Sequence, residues 1–309
     1  MSTESNMQRI LITGGLGQVG SYLVDALHEK AEVTVLDNFS STTRETVPRE
    51  ISIIKGDVRD RIAADLVKQN DIIIHTAAQI SVTASMEDPL SDAHNNVFGT
   101  LNLLEAARRS PTSKFVYISS AAVYGDPLYT PITESHPQDP LSPYGTSKLS
   151  GEKYCMMYHK AFGLPSCCIR PFNIYSPRQD PDNPYSGVIS RFIDKARTKQ
   201  SPVIFGDGNQ TRDFISVHDI VDMIMLLLEN EEANGQVFNA GTGNSTTVSE
   251  LAHMILDIFG VDVPVQYMPE RPGDIKYSCS DISKAREILG FEPKVLLREG
   301  LMEFEEIKT

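Results

Sequence analysis

Arg9-Ile-Leu-Ile-Thr13, running without a break into Gly14-Gly-Leu-Gly17-Gln-Val-Gly20, decides how the rest of this chain is read. The first five residues are mostly aliphatic and suit a short buried strand. The glycines after it suit a tight strand-to-helix turn. They let backbone amides approach a pyrophosphate, and the helix that follows offers its positive N-terminal end to that charge. A glycine at every third position differs from the Gly-x-Gly-x-x-Gly of the best-known dinucleotide turn, and a glycine triplet alone can be no more than a turn. The next strand narrows the choice. Glu32-Val-Thr-Val-Leu-Asp37 ends in a carboxylate 17 positions after Gly20, close to the spacing at which an acidic side chain meets adenosine ribose hydroxyls. Asp37 would repel a 2′-phosphate, so NAD is expected rather than NADP. Gly14, Gly17, Gln18 and Val19 fall at the pyrophosphate turn, and Asp37 and Asn38 at the ribose.

Outward from this stretch, strand-like and helix-like segments alternate as far as residue 170. Further strands are read at Ile51–Ile54, Asp71–Thr76, Lys114–Ser119 and Pro165–Arg170. That alternation predicts an α/β fold with a doubly wound, Rossmann-like parallel sheet. Beyond Pro171 the chain turns to Pro- and Asn-rich loops, then regains strand and helix character over Arg212–Gly243. The expected division is therefore interleaved: 1–170 and 211–243 form the NAD-binding domain, and 171–210 and 244–309 form a smaller, mixed substrate-binding region.

Composition fits a soluble enzyme. The 309 residues are 40% hydrophobic and 22% charged, with a net charge of −13. No Lys/Arg block interrupts that acidity, so neither nucleic acid nor a membrane surface is an expected partner. No apolar run approaches the roughly 20 residues of a membrane span, and Met1 to Met7 is polar, so the expectation is a cytoplasmic protein. Cys155, Cys167, Cys168 and Cys279 lack Cys-x-x-Cys spacing and read as reduced structural thiols, the adjacent pair pointing to opposite faces of a strand.

Chemistry concentrates at Tyr144 and Lys148 in Ser-Pro-Tyr-Gly-Thr-Ser-Lys, with Ser120 24 positions upstream of the tyrosine. Four residues apart on a helix places both side chains on one face. An ammonium beside a phenol favours the phenolate and brings a weak base toward neutral pH. Chance alone supplies about half an occurrence of Tyr-x-x-x-Lys in such a composition, so its weight comes from the glycine turn upstream. His75 and His218 have no metal-ligand spacing to another histidine and are read as structural; no metal is expected.

Gly14-x-x-Gly-x-x-Gly20, Asp57-Val58, His75-Thr-Ala-Ala78, Asn96, Ser119-Ser120 before Val-Tyr-Gly125, and Tyr144-x-x-x-Lys148 together resemble the extended short-chain dehydrogenases/reductases. Arg170-Pro-Phe-Asn173, Thr211-Arg212-Asp213, Asn239-Ala-Gly-Thr-Gly243 and Arg271-Pro-Gly-Asp274 resemble the nucleotide-sugar branch, most closely UDP-glucose 4-epimerases. The resemblance implies that Ser120 holds the sugar O4, that Tyr144 takes its proton, and that Lys148 contacts the nicotinamide ribose. It also implies cofactor contacts at Asp57, Val58, Ala77, Ala78 and Asn96. Asp57 reads equally well as a turn or cap former, and Asn96 as a buried amide satisfying backbone groups. Arg212 and Arg271 are implied for the diphosphate, where a guanidinium can grip two phosphate oxygens. Asn173 and Asp274 are implied as further substrate contacts, Arg178 as a partner for a uronate carboxylate, and Ser278 as an opening where hexose-restricted epimerases carry tyrosine. A homodimer through helices near Thr100–Arg109 and Tyr144–Phe162 is expected by the same resemblance.

The reaction follows from what is missing. Relatives that dehydrate or decarboxylate nucleotide sugars carry an acid just after the serine or threonine, and here those positions are Ala121 and Ala122. A methyl group moves no proton, which leaves oxidation and re-reduction at C4. The expected activity is C4 epimerisation of a UDP-sugar, UDP-glucose/UDP-galactose with UDP-GlcNAc/UDP-GalNAc beside it. The alternatives are a UDP-glucuronate 4-epimerase, a 4-keto sugar reductase, a dehydratase and a non-catalytic NAD sensor.

Overall fold

The computed structural model describes residues 7–40, 47–179, 187–270 and 275–306. Seven strands make the central sheet: β1 (Arg9–Thr13), β2 (Glu32–Asp37), β3 (Ser52–Lys55), β4 (Ile72–His75), β5 (Lys114–Ile118), β6 (Ser166–Pro171) and β11 (Val237–Ala240). All neighbours are parallel, in the order β11-β6-β5-β4-β1-β2-β3. The order reverses between β1 and β4, and in such sheets the crevice beyond the strand ends at that switch point receives a ligand.

Helices cover both faces, which is why the strands read as apolar runs rather than alternating ones. On one side lie α1 (Gly20–Leu27), α8 (Val217–Glu229) and α10 (Ser283–Leu289). On the other lie α2 (Arg61–Val67), α5 (Gly99–Ala107) and α6 (Pro143–Phe162), with α3 (Val82–Glu87) and α4 (Pro89–Ala93) leading into α5. Cys167 packs into the first core and Cys168 into the second, as the two-residue period of a strand requires. All four cysteines are free thiols.

The chain returns to the sheet late. α8 packs on the first face and β11 adds beside β6, so residues after the Pro-rich loops complete the dinucleotide fold. The remaining ladders are short: β7 (Asn173–Tyr175) with β10 (Phe214–Ser216), β8 (Val203–Phe205) with β13 (Gln266–Met268), and β9 (Thr211–Arg212) with β12 (Thr246–Thr247). With α7 (Val188–Arg197), α9 (Val248–Ile258) and α11 (Leu297–Glu306), they enclose a separate core around Phe192, Ile204, Leu251 and Leu301.

α6 positions the chemistry. Ser142 caps it by accepting from the Gly145 amide at 3.1 Å, Pro143 stands in its first turn, and Gly163 ends it in the left-handed conformation. Its buried face is largely polar and includes Lys148 and Glu152. A Cβ at Gly151 would lie 2.4 Å from the Tyr117 hydroxyl, so glycine permits the close approach of α6 to β5. No helix of the described residues is long and apolar enough to cross a membrane.

Candidate active site

A cavity of about 860 Å³ opens at the C-terminal ends of β1, β2, β4, β5 and β6. One end is the glycine turn. Gly14 has φ +70°, and a Cβ there would meet the Ala77 backbone at 2.7 Å. At Gly20 a Cβ would stand 2.2 Å from the Gly14 carbonyl oxygen. These contacts are with backbone atoms that cannot step aside, so the turn admits only glycine at both places. Gly17, Gln18 and Val19 line the cavity, and Gln18 Nε2 is buried there without a protein partner. Such an orphaned donor at a helix N-terminus suits an anionic ligand.

At the next strand end, Asp37 is 8% exposed and held by two backbone amides, Leu16 at 3.1 Å and Phe39 at 2.9 Å. Asp57 forms a turn rather than a cap: its carboxylate accepts from the Arg59 amide at 3.0 Å, while α2 begins after Asp60. Arg59 also grips Asp57 through Nε at 2.7 Å and Nη2 at 2.8 Å, and Asn38 donates to it at 3.1 Å. The Arg59 hydrogen bonds pull the Asp57 pKa down to about 2. Asn38, Asp57, Val58 and Arg59 all line the cavity, as do Ala77 and Ala78. This set fits NAD: glycines and an orphaned amide for the pyrophosphate, and a carboxylate for the ribose.

Ser120 and Tyr144 face the other end. Ser120 is an extended residue whose Oγ accepts from the Ala122 amide at 3.1 Å, starting a short 3₁₀ turn over Ala121–Tyr124. The Tyr144 pKa is raised by burial, with the Ser120 hydroxyl pulling it back and Asp92 adding to the rise. This corrects the expectation that Lys148 lowers it: in the chain alone, burial of the phenolate outweighs what favours it, and the helping neighbour is Ser120. Lys148 is 3% exposed and lies over the Tyr117 ring, 4.6 Å from its centroid. Burial pushes its pKa down to about 8.

Asn96 does not line the cavity. Its Nδ2 donates to the Gln79 carbonyl at 2.9 Å, to Asp92 at 3.1 Å and to Ser147 at 3.0 Å, and its Oδ1 accepts from the Gln79 amide at 2.8 Å. It supports the cavity wall, and its neighbour Asn95 is the residue that reaches the lining. Both asparagines lie in a π-helical segment, His94–Phe98, between α4 and α5. His75 is internal: Thr13 Oγ1 lies 2.7 Å from Nδ1 and Thr100 Oγ1 3.0 Å from Nε2, and burial pushes its pKa down to about 3. His218 lies 3.3 Å from Glu303 and edge-on to Tyr22.

Of the residues expected at substrate, Asn173 lines the cavity. Arg212 is half-buried and donates to the Thr211 carbonyl at 2.8 Å and the Ile275 carbonyl at 2.7 Å. Ser278 is 9% exposed, its amide donating to Thr211 Oγ1 at 3.3 Å, and it lies outside the cavity lining. Arg178 corrects the uronate expectation: it pairs with Asp25, stacks 4.2 Å from the Tyr22 ring, and is not part of the lining. Arg271 and Asp274 lie outside the described residues. Arg59, Gln79, Ser81, Ala84, Asn95 and Phe172 line the cavity without having been picked out from sequence. Only Arg59 carried a local signal, its place two residues after Asp57.

A parallel sheet with a glycine turn at its switch point and a serine and tyrosine facing the same cleft defines a dinucleotide-dependent enzyme fold. The chain belongs to the extended short-chain dehydrogenases/reductases: the GDP-mannose 4,6 dehydratase family model matches residues 11–304. It is 39% identical over 302 residues to the UDP-glucose 4-epimerase of Mycolicibacterium smegmatis, covering 95% of this chain and 96% of that protein. It is 36% identical over 311 residues to UDP-glucuronic acid decarboxylase 6 of Arabidopsis thaliana, covering 98% and 89%. Among solved structures it is similar to the UDP-N-acetylglucosamine 4-epimerase of Methanobrevibacter ruminantium in complex with UDP-N-acetylmuramic acid. There the TM-score is 0.93 and the identity 38%, over 97% of this chain and 98% of the other. It is also similar to the Thermus thermophilus UDP-glucose 4-epimerase in complex with NAD, with TM-score 0.89 and 33% identity over 97% and 100%.

Proposed function

We propose that this chain is an NAD-dependent C4 epimerase of UDP-sugars, acting on UDP-glucose/UDP-galactose and accepting the N-acetylhexosamine pair. The observation that carries the reading is the wall opposite the glycine turn: Ser120 and Tyr144 face the cavity, while the two residues after the serine are Ala121 and Ala122. The decarboxylase relative shares the fold, but a chain with methyl groups at these positions has no acid there for elimination or decarboxylation chemistry.

Ser120 holds the sugar O4 and hands its proton toward Tyr144, whose phenolate acts as base. Lys148, over the Tyr117 ring and just outside the cavity lining, would orient the nicotinamide ribose and place a positive charge beside the cleft. NAD held at the glycine turn and Asp37 would supply reversible hydride acceptance at C4 and a positive charge beside the phenol that burial alone holds up. Arg212 and, in this reading, Arg271 would hold the diphosphate while the oxidised sugar turns over. Binding energy concentrated on the nucleotide leaves the sugar free to turn. Tyr154, Met157 and Phe162 leave apolar surface on the outer side of α6, which supports a homodimer through α5 and α6.

Incubation with UDP-glucose, UDP-GlcNAc and UDP-glucuronate, with and without added NAD, followed by resolution of the C4 epimers, tests the reading. Exchange of the first two is expected. Tyr144→Phe should lower it by about a thousandfold without loss of NAD binding, the scale of a lost acid–base group. Exchange that survives this substitution would overturn the role given to the phenol.

A further inference from the structure

Ser120 is fastened on both sides to one buried ion pair. Arg170 on β6 and Glu152 on α6 are 2% and 1% exposed, with Nη2 2.6 Å from Oε1 and Nε 2.8 Å from Oε2. Upstream of Ser120, the Ser119 hydroxyl donates to Glu152 Oε2 at 3.1 Å. Downstream, the Tyr124 hydroxyl accepts from Arg170 Nη1 at 2.8 Å and donates to Asn239 Oδ1 at 2.6 Å. Glu152 stands one helical turn beyond Lys148 and two beyond Tyr144, on the same face of α6. Serine and tyrosine come from elements 24 residues apart in sequence, and this pair joins them.

We propose that the Glu152–Arg170 pair sets the register between Ser120 and the Tyr144–Lys148 face of α6, with Ser119 and Tyr124 as the two positioning residues that transmit it. Tyr124, Glu152 and Arg170 lie outside the cavity lining, while Ser119 stands in it beside Ser120 with its hydroxyl turned to Glu152. The proposal rests on the epimerase reading for its catalytic consequence. A buried bidentate pair suits the task because its geometry is narrow: the planar guanidinium fixes the carboxylate in distance and in plane. Hydroxyls attached to it inherit that placement. Proton transfer is sensitive to such placement, since displacing the partners by a fraction of a bond length misaligns the transfer.

Ser119→Ala and Tyr124→Phe each remove one arm and leave the ion pair intact. Two readouts are taken on the full chain at saturating NAD: steady-state epimer exchange and amide hydrogen exchange at Ala122 and Val123, whose amides bond to Ser120. Each variant is expected to lower kcat about tenfold, with KM for the UDP-sugar and the pH profile unchanged, and to speed amide exchange at those two residues. A merely structural role would lower thermal stability and leave kcat per folded molecule at the wild-type value. Wild-type kcat and wild-type amide exchange in both variants would overturn the proposal. If the wild-type protein exchanged no UDP-sugar epimers while Ser119→Ala still loosened Ala122, the epimerase reading would fail and the register device would stand.

Discussion

Lys148→Met should make this protein more stable at neutral pH while removing its activity. The ammonium is 3% exposed, and burial brings its pKa from 10.5 to about 8. At 1.36 kcal/mol per pKa unit, keeping it charged in the fold costs about 3 kcal/mol. The Tyr117 ring beneath it, 4.6 Å from the ammonium, does not prevent that fall. Methionine, apolar and flexible, removes the penalty. The sign follows from proton counts. Between pH 8 and 10.5 the unfolded lysine is protonated and the folded one is not, so the unfolded state binds more protons and wild-type stability rises with pH. Below pH 8 both states are charged and the whole penalty is present. The advantage of Lys148→Met is therefore largest at pH 7 and shrinks as pH climbs through that window. Urea unfolding of both proteins without cofactor, at pH 7 and pH 10, reads the difference directly. A variant less stable than wild type at pH 7, or an advantage that does not shrink with pH, would refute the reasoning.

Gly20→Ala should abolish NAD binding, because its Cβ would sit 2.2 Å from the Gly14 carbonyl oxygen and force the turn open; loss of the cofactor-induced rise in thermal midpoint checks it, and an unchanged rise would count against the placement of the pyrophosphate. Asp37→Ala should relax cofactor choice, weakening NAD and admitting NADP, since it removes a carboxylate that two backbone amides aim at the cleft. Thermal shifts with each dinucleotide measure the change, and a preference for NAD undiminished by the substitution would show that selection lies elsewhere.

Much of the sheet was legible because its signals are local. A parallel strand covered on both faces is an apolar run, and the six expected strands lie within one residue of β1 to β6 at nearly every boundary. The glycine turn, the carboxylate ending β2, and the one-face placement of Tyr144 and Lys148 likewise follow from chain geometry over a few residues. The opposite orientations of Cys167 and Cys168 are of the same kind.

What the sequence by itself determined is thus whatever a strand period, a helix period or a tight turn dictates. Contacts between distant segments were decided only by the fold. Asn95 rather than Asn96 lines the cavity, both within a π-helical segment whose altered hydrogen-bond step no local sequence period announces. Packing of α1 beside the loop after β7 gave Arg178 to Asp25. Burial of Tyr144 raised the phenol that its spacing to Lys148 alone would lower, since desolvation depends on everything that surrounds a group. The Glu152–Arg170 pair, 18 residues apart and on different elements, exists only once α6 lies across β5 and β6, because hydrogen bonds need atoms within about 3 Å and sequence fixes that distance only for near neighbours.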